Sequence, residues 1–319
     1  MRIMNKVRQL STVNENQMSN LIPTLSGTGV ALVTPFNSRM EIDEPALARV
    51  IDFVIEGGVE YIVTLGTTGE TPVLSRKEKL LIARFTLDAV NKRVPVVIGA
   101  GGNNTKEVIA EIEELPTEES VAILSSSPAY SKPSQEGIYQ HYKAIAAVSP
   151  KPLILYNVPS RTARNIDANT ILRLAQLPNI AGLKEAGGDM AQCALVLRDR
   201  PSDFLVVSGD DALCFAQIAT GMHGVISVVA NSFPAAFSSM VQAAIKGDLK
   251  KAKKLNDSLL EAYHLLFVEN NPAGVKAALN ELGIIENYVR LPLVPLSKGY
   301  HEQLKGYLER TLQWLTVDG

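Results

Sequence analysis

The chain of 319 residues has only two cysteines, Cys193 and Cys214, and a single tryptophan. With no secretory signal, the two cysteines read as reduced thiols of a cytoplasmic protein. Four histidines are scattered at His141, His223, His264 and His301, and no Cys/His spacing resembles a zinc site. No transition metal and no cofactor are therefore expected. No run of about 18 apolar residues occurs, so no segment is expected to span a membrane. Charge of either sign is also not in excess. The formal net charge of −2 gives no reason to expect nucleic acid or an anionic membrane as partner. Residues 1–24 are polar and mixed and lack the apolar core of a signal peptide. They read as a disordered extension, with Met18 as an alternative start.

What is present is ordinary globular composition, 46% hydrophobic and 20% charged. From Gly27 onward short apolar runs alternate with helical patterns. The runs are Val30–Val33, Tyr61–Leu65, Val94–Ile98, Val121–Leu124, Pro152–Tyr156, Ile180–Leu183, Phe204–Val207 and Val225–Val229. They do not alternate apolar with polar, which fits parallel strands buried on both faces. Ser75 followed three residues later by Glu78 spells a capping box at the head of one helix. Successive strand–helix units over residues 25–247 predict an α/β fold, a (β/α)8 TIM barrel, with an open doubly wound sheet as the alternative. After Gly247 the strand signal stops. Residues 248–319 predict an all-helical appendix packed on the barrel or on a neighbouring subunit.

Barrel active sites lie at the C-terminal ends of the strands. Lys184 follows the apolar run Ile180–Leu183. Desolvation there favours a neutral amine, which can attack a ketone and form an imine. The alternative is a strand-end lysine paired with a carboxylate such as Glu185. Tyr156 ends the preceding run and predicts a phenol in the same mouth, able to move protons at an imine carbon; its alternative is a packing tyrosine. Thr67 and Tyr130 end two further runs and can extend a proton relay. The turn Gly66–Glu70 offers amides and hydroxyls suited to a small carboxylate. Arg161, five residues after Tyr156, can grip a second carboxylate or can simply be a surface arginine.

These spellings resemble the family of dihydrodipicolinate synthases and N-acetylneuraminate lyases. The resemblance runs from about Gly27 to Pro295. It is carried by GTTGE at Gly66–Glu70, SPAYSKPSQEGIYQHY at Ser127–Tyr142, LYNVPSRT at Leu155–Thr162, GLKEA at Gly182–Ala186, SGDD at Ser208–Asp211 and GVISV at Gly224–Val228. The resemblance implies that Lys184 forms the Schiff base and that Tyr156 exchanges the proton. It implies that Thr67 and Tyr130 complete the relay, with Tyr130 reaching in from a partner subunit. Thr68, Gly209 and the carbonyl region of Ile226 would hold pyruvate. Arg161 would hold the carboxylate of aspartate semialdehyde; the family's sugar-acid lyases lack that arginine. The implied activity is condensation of pyruvate with L-aspartate 4-semialdehyde to 4-hydroxy-tetrahydrodipicolinate. The implied assembly is a homo-oligomer, a dimer or a dimer of dimers.

One departure stands out. Ala129 occupies the place of a family aromatic, and Arg76 and Lys79 stand where some members carry histidines. Asn103 and Glu107 match positions that hold the inhibitor lysine. Weak or absent inhibition by lysine is expected, from the lost aromatic face and from the added positive charge.

Overall fold

A computed structural model describes residues 21–315. Eight parallel strands close into a barrel in chain order. They are β1 Gly27–Ala31, β2 Tyr61–Thr64, β3 Val96–Gly99, β4 Ala122–Ser126, β5 Leu153–Asn157, β6 Ile180–Glu185, β7 Leu205–Ser208 and β8 Gly224–Ser227. All but the last residue of β4 are buried, which is why the runs read as continuous apolar segments. The first strand begins three residues before the apolar run that announced it. Its opening Gly-Thr-Gly carries no apolar signal, and Gly29 is required there: a Cβ would sit 2.1 Å from the Tyr61 ring inside the barrel.

Helices cover the outside of the barrel. Glu44–Glu56 is capped by Asp43, whose carboxylate accepts from Ala46 N, and Arg76–Val90 begins with both halves of the Ser75/Glu78 capping box. Between strands and helices lies the larger apolar cluster. A separate cluster fills the barrel interior, running from Leu21, Leu25 and Tyr61 up to Tyr156 and Ile226. Leu21 and Leu25 belong to a short helix, Leu21–Leu25, and are buried. The expectation of disorder through residue 24 is thereby corrected: an i, i+4 pair of leucines packs among the barrel-interior side chains and orders residues 21–25. Residues 1–20, including the alternative start at Met18, lie outside the described residues.

Helices Leu249–Phe267, Ala273–Glu281 and Lys298–Leu315 follow the turn at Gly247. The first two pack on each other and on the last helix. Among the described residues, no helix is long and apolar enough to cross a membrane.

Candidate active site

The ends of β5 and β6 define the site. The ladder irregularity at Leu153/Ile154 brings Tyr156 opposite Lys184 and Asn157 opposite Glu185. Side chains alternate along a strand, so the first pair points into the barrel mouth and the second points out. Lys184 Nζ lies 4.4 Å from the centre of the Tyr156 ring, and both residues are buried. Glu185 does not pair with Lys184. Its carboxylate accepts from Asn157 Nδ2 at 3.0 and 2.9 Å, from Gly187 N at 2.6 Å and from Gln192 Nε2 at 3.3 Å. Burial still raises its pKa, against those hydrogen bonds. No ion pair among the described residues involves Lys184. The alternative of a carboxylate-paired lysine is not what this strand end contains.

A cavity of about 700 Å³ opens over these strand ends. Thr67, Thr68, Tyr156, Arg161, Lys184 and Gly209 all line it. Gly209 is there for space: a Cβ would lie 2.8 Å from Lys184 Cε. Thr67 and Thr68 open a short 3-10 helix, Thr67–Gly69, whose first amides have no partner within the helix. Left-handed residues bracket that turn, Leu65 at φ 56 and Glu70 at φ 55. Thr34 Oγ1 and Thr71 Oγ1 hold its carbonyls at 2.9 and 2.8 Å.

Two expected residues do not line the cavity. The Ile226 side chain is buried in the barrel interior; two residues further on, Val228 reaches the cavity wall. Any part Ile226 plays falls to its backbone. Tyr130 is 91% exposed and adopts φ 62, a conformation that costs a bulky residue about 1–2 kcal/mol. Within one chain it does not join Thr67 and Tyr156.

Near the inhibitor-matching positions, Asn103 Oδ1 accepts from Ala129 N at 2.7 Å and Glu107 accepts from Asn104 Nδ2 at 3.0 Å. Arg76 is paired with Glu114, and Lys79 with Glu111 at 2.8 Å. The expected repulsion of a cationic ligand by Arg76 and Lys79 is corrected accordingly: each positive charge has a carboxylate partner. The lost aromatic face at Ala129 remains.

Several cavity residues escaped the sequence reading. Asp211 bridges two loops: its carboxylate accepts from Ser227 Oγ at 2.5 Å and Val228 N at 3.0 Å, and burial pushes it up to about 6. Asn271, before the helix Ala273–Glu281, donates from Nδ2 to Thr68 Oγ1 at 2.9 Å. Tyr263 and Phe267 come from the helix Leu249–Phe267. Asp211 was visible as part of the SGDD spelling, without a role. The other three are placed only by tertiary packing. Both cysteines are free and buried; burial pushes the Cys193 thiol up to about 11. Among the described residues no cluster of three or more His, Cys, Asp or Glu is arranged to hold a metal ion.

A model of the dihydrodipicolinate synthetase family matches residues 24–311. A 4-hydroxy-tetrahydrodipicolinate synthase of Flavobacterium psychrophilum is 47% identical over 279 residues, 87% of this chain and 95% of the relative. The crystal structure of the chloride-inhibited dihydrodipicolinate synthase of Acinetobacter baumannii in complex with pyruvate superposes with a TM-score of 0.87 at 40% identity, covering 90% of this chain and 98% of that one. A monomeric dihydrodipicolinate synthase variant superposes with a TM-score of 0.87 at 38% identity, covering 91% and 98%.

Proposed function

The chain belongs to the dihydrodipicolinate synthetase family, and we infer that it condenses pyruvate with L-aspartate 4-semialdehyde, giving 4-hydroxy-tetrahydrodipicolinate, the first committed step of diaminopimelate and lysine biosynthesis. The observation that carries this reading is the buried Lys184, with no carboxylate partner among the described residues and its Nζ 4.4 Å from the Tyr156 ring centre. The amine attacks the ketone of pyruvate, water leaves, and a protonated imine remains. That imine draws electrons from the neighbouring methyl, which loses a proton and becomes a carbon nucleophile toward the aldehyde. Tyr156 is the group in reach to carry protons at these steps.

Thr67 extends the relay within the chain, and Tyr130 completes it from a partner's loop. The 91% exposure of Tyr130 supports that assignment, since a side chain so placed has nothing to do inside its own barrel. Thr68, Gly209 and the backbone near Ile226 hold the pyruvate carboxylate. Arg161, on the cavity wall, takes the carboxylate of the semialdehyde bidentately. The active unit is then a homodimer or a dimer of dimers, working in the cytoplasm. Residues 25–247 are the catalytic barrel. Residues 248–319 were expected to be helical; the described part of that stretch contributes Tyr263, Phe267 and Asn271 to the cavity.

The test is a comparison of acceptors. With pyruvate fixed, aspartate semialdehyde should turn over and N-acetylmannosamine should not. Arg161→Ala should raise the semialdehyde KM while leaving imine formation with pyruvate nearly intact. Preference for the sugar would assign the chain to sugar-acid cleavage instead.

A further inference from the structure

One buried ion pair beside the cavity plays no part in the reaction as read above. Lys276 Nζ lies 2.6 Å from Glu70 Oε1, with both side chains 0% exposed. Glu70 closes the Thr67–Gly69 turn in the left-handed conformation, and Lys276 comes from the helix Ala273–Glu281, beyond the barrel. Two charges withdrawn from water are no source of net stability, since apolar residues of the same size commonly do as well. What such a pair can supply is position. Glu70 Oε2 accepts from Arg290 N at 2.9 Å. Lys276 Nζ donates to Tyr288 O at 2.8 Å and lies 4.1 Å from the centre of the Phe36 ring. Each charge is therefore held by more than one segment. Next to it in the turn, Thr68 Oγ1 receives the Asn271 amide at 2.9 Å. Accepting that bond leaves the Thr68 hydroxyl proton free to be given elsewhere.

We propose that Lys276 is a positioning residue for pyruvate binding: through Glu70 it fixes the turn that presents Thr67 and Thr68, so the C-terminal helical region helps to set affinity for pyruvate. The proposal rests on the reading of this cavity as a pyruvate site. Besides Glu70, the charged group facing Lys276 is Arg290, whose guanidinium lies over the same Phe36 ring and is itself paired with Glu78. Burial, assisted by Arg290 and opposed by Glu70, pulls Lys276 down to about 8. Above that pH the pair loses its cation, Glu70 is left buried alone, and the grip on the turn loosens.

The test uses the full chain with steady-state kinetics in both substrates from neutral to alkaline pH. Glu70→Gln keeps size and an acceptor for Arg290 N while removing the charge. Glu70→Gln/Lys276→Met removes both charges and leaves none unpaired. In each variant the pyruvate KM should rise about tenfold, while the semialdehyde KM stays within about twofold, because only the turn has lost its fixed placement. In the parent the pyruvate KM should climb above pH about 8, and the double variant should lose that climb. Circular dichroism establishes that each variant is folded; should the double variant not fold, Glu70→Gln carries the test. A pyruvate KM within about twofold of the parent's, or equal rises in both KM values, overturns the proposal. A parent that forms no imine with pyruvate overturns the reading of the site and this inference with it. A parent that forms the imine, beside a folded variant with unchanged pyruvate dependence, overturns this inference alone.

Discussion

Tyr156 and Lys184 stand opposite each other on adjacent strand ends, so the Tyr156 ring is held beside the Lys184 amine by two rigid ladders rather than by a loop. Removing its hydroxyl should therefore subtract proton transfer and little else. Tyr156→Phe is expected to lower turnover by about 10²–10⁴-fold, the usual cost of losing a positioned acid–base group. Pyruvate should still be captured on Lys184, more slowly. Stopped-flow kinetics of imine formation beside steady-state turnover measures both. Turnover near that of the parent would remove Tyr156 from the chemistry. At this scale the sequence was informative where a reactive residue ended an apolar run, as at Lys184, Tyr156 and Thr67. It was silent on Asn271, whose contact with Thr68 spans 203 positions. Lys276 left one trace: a cation inside Ala-Gly-Val-Lys-Ala-Ala-Leu, a stretch otherwise buried, where a charge needs a partner.

Among the elements, the strands were legible because all are short and almost wholly buried, and helices such as Arg76–Val90 because their caps are spelled out. The helix Leu21–Leu25 was not, since five residues without a charge are too few to carry a helical period. Tyr130 was identified by its motif, while its exposure follows from a left-handed loop that no local pattern announced. One contact between helices makes a pH prediction. His141, on Gln135–Ala146, shares a 2.9 Å hydrogen bond through Nδ1 with Thr105, the first residue of Thr105–Glu114. Its Nε2 is buried without a partner, and burial lowers its pKa to about 4. The unfolded chain, with an ordinary histidine near 6.5, takes up a proton that the folded one refuses. This contribution to stability is complete above pH about 6.5 and is lost as pH falls toward about 4, by about 3 kcal/mol. Urea denaturation at intervals across that window should show the loss, and His141→Gln should flatten it. An equally steep decline in the variant would assign the effect to other groups.

For the molecule as a whole, the barrel supplies Lys184, Tyr156, Thr67, Thr68 and Arg161 to one cavity, and the C-terminal helices close part of its wall. Tyr130 is the expected relay member that a single chain leaves outside. The active species should accordingly be at least a homodimer, and mixing inactive Tyr130→Phe chains with inactive Lys184→Ala chains should restore part of the activity through complementary pairing. Sedimentation at assay concentration, run beside that mixing assay, reads out both expectations. A monomer of full activity would contradict the shared site.

The central claim is that Lys184 is the nucleophile. It is tested most directly by incubating the protein with pyruvate and borohydride and locating the added mass by peptide mapping. The account predicts one reduced pyruvyl adduct per chain, on the peptide containing Lys184, and none in Lys184→Ala. An adduct on Lys276 or another lysine, or no adduct in the parent, would contradict it.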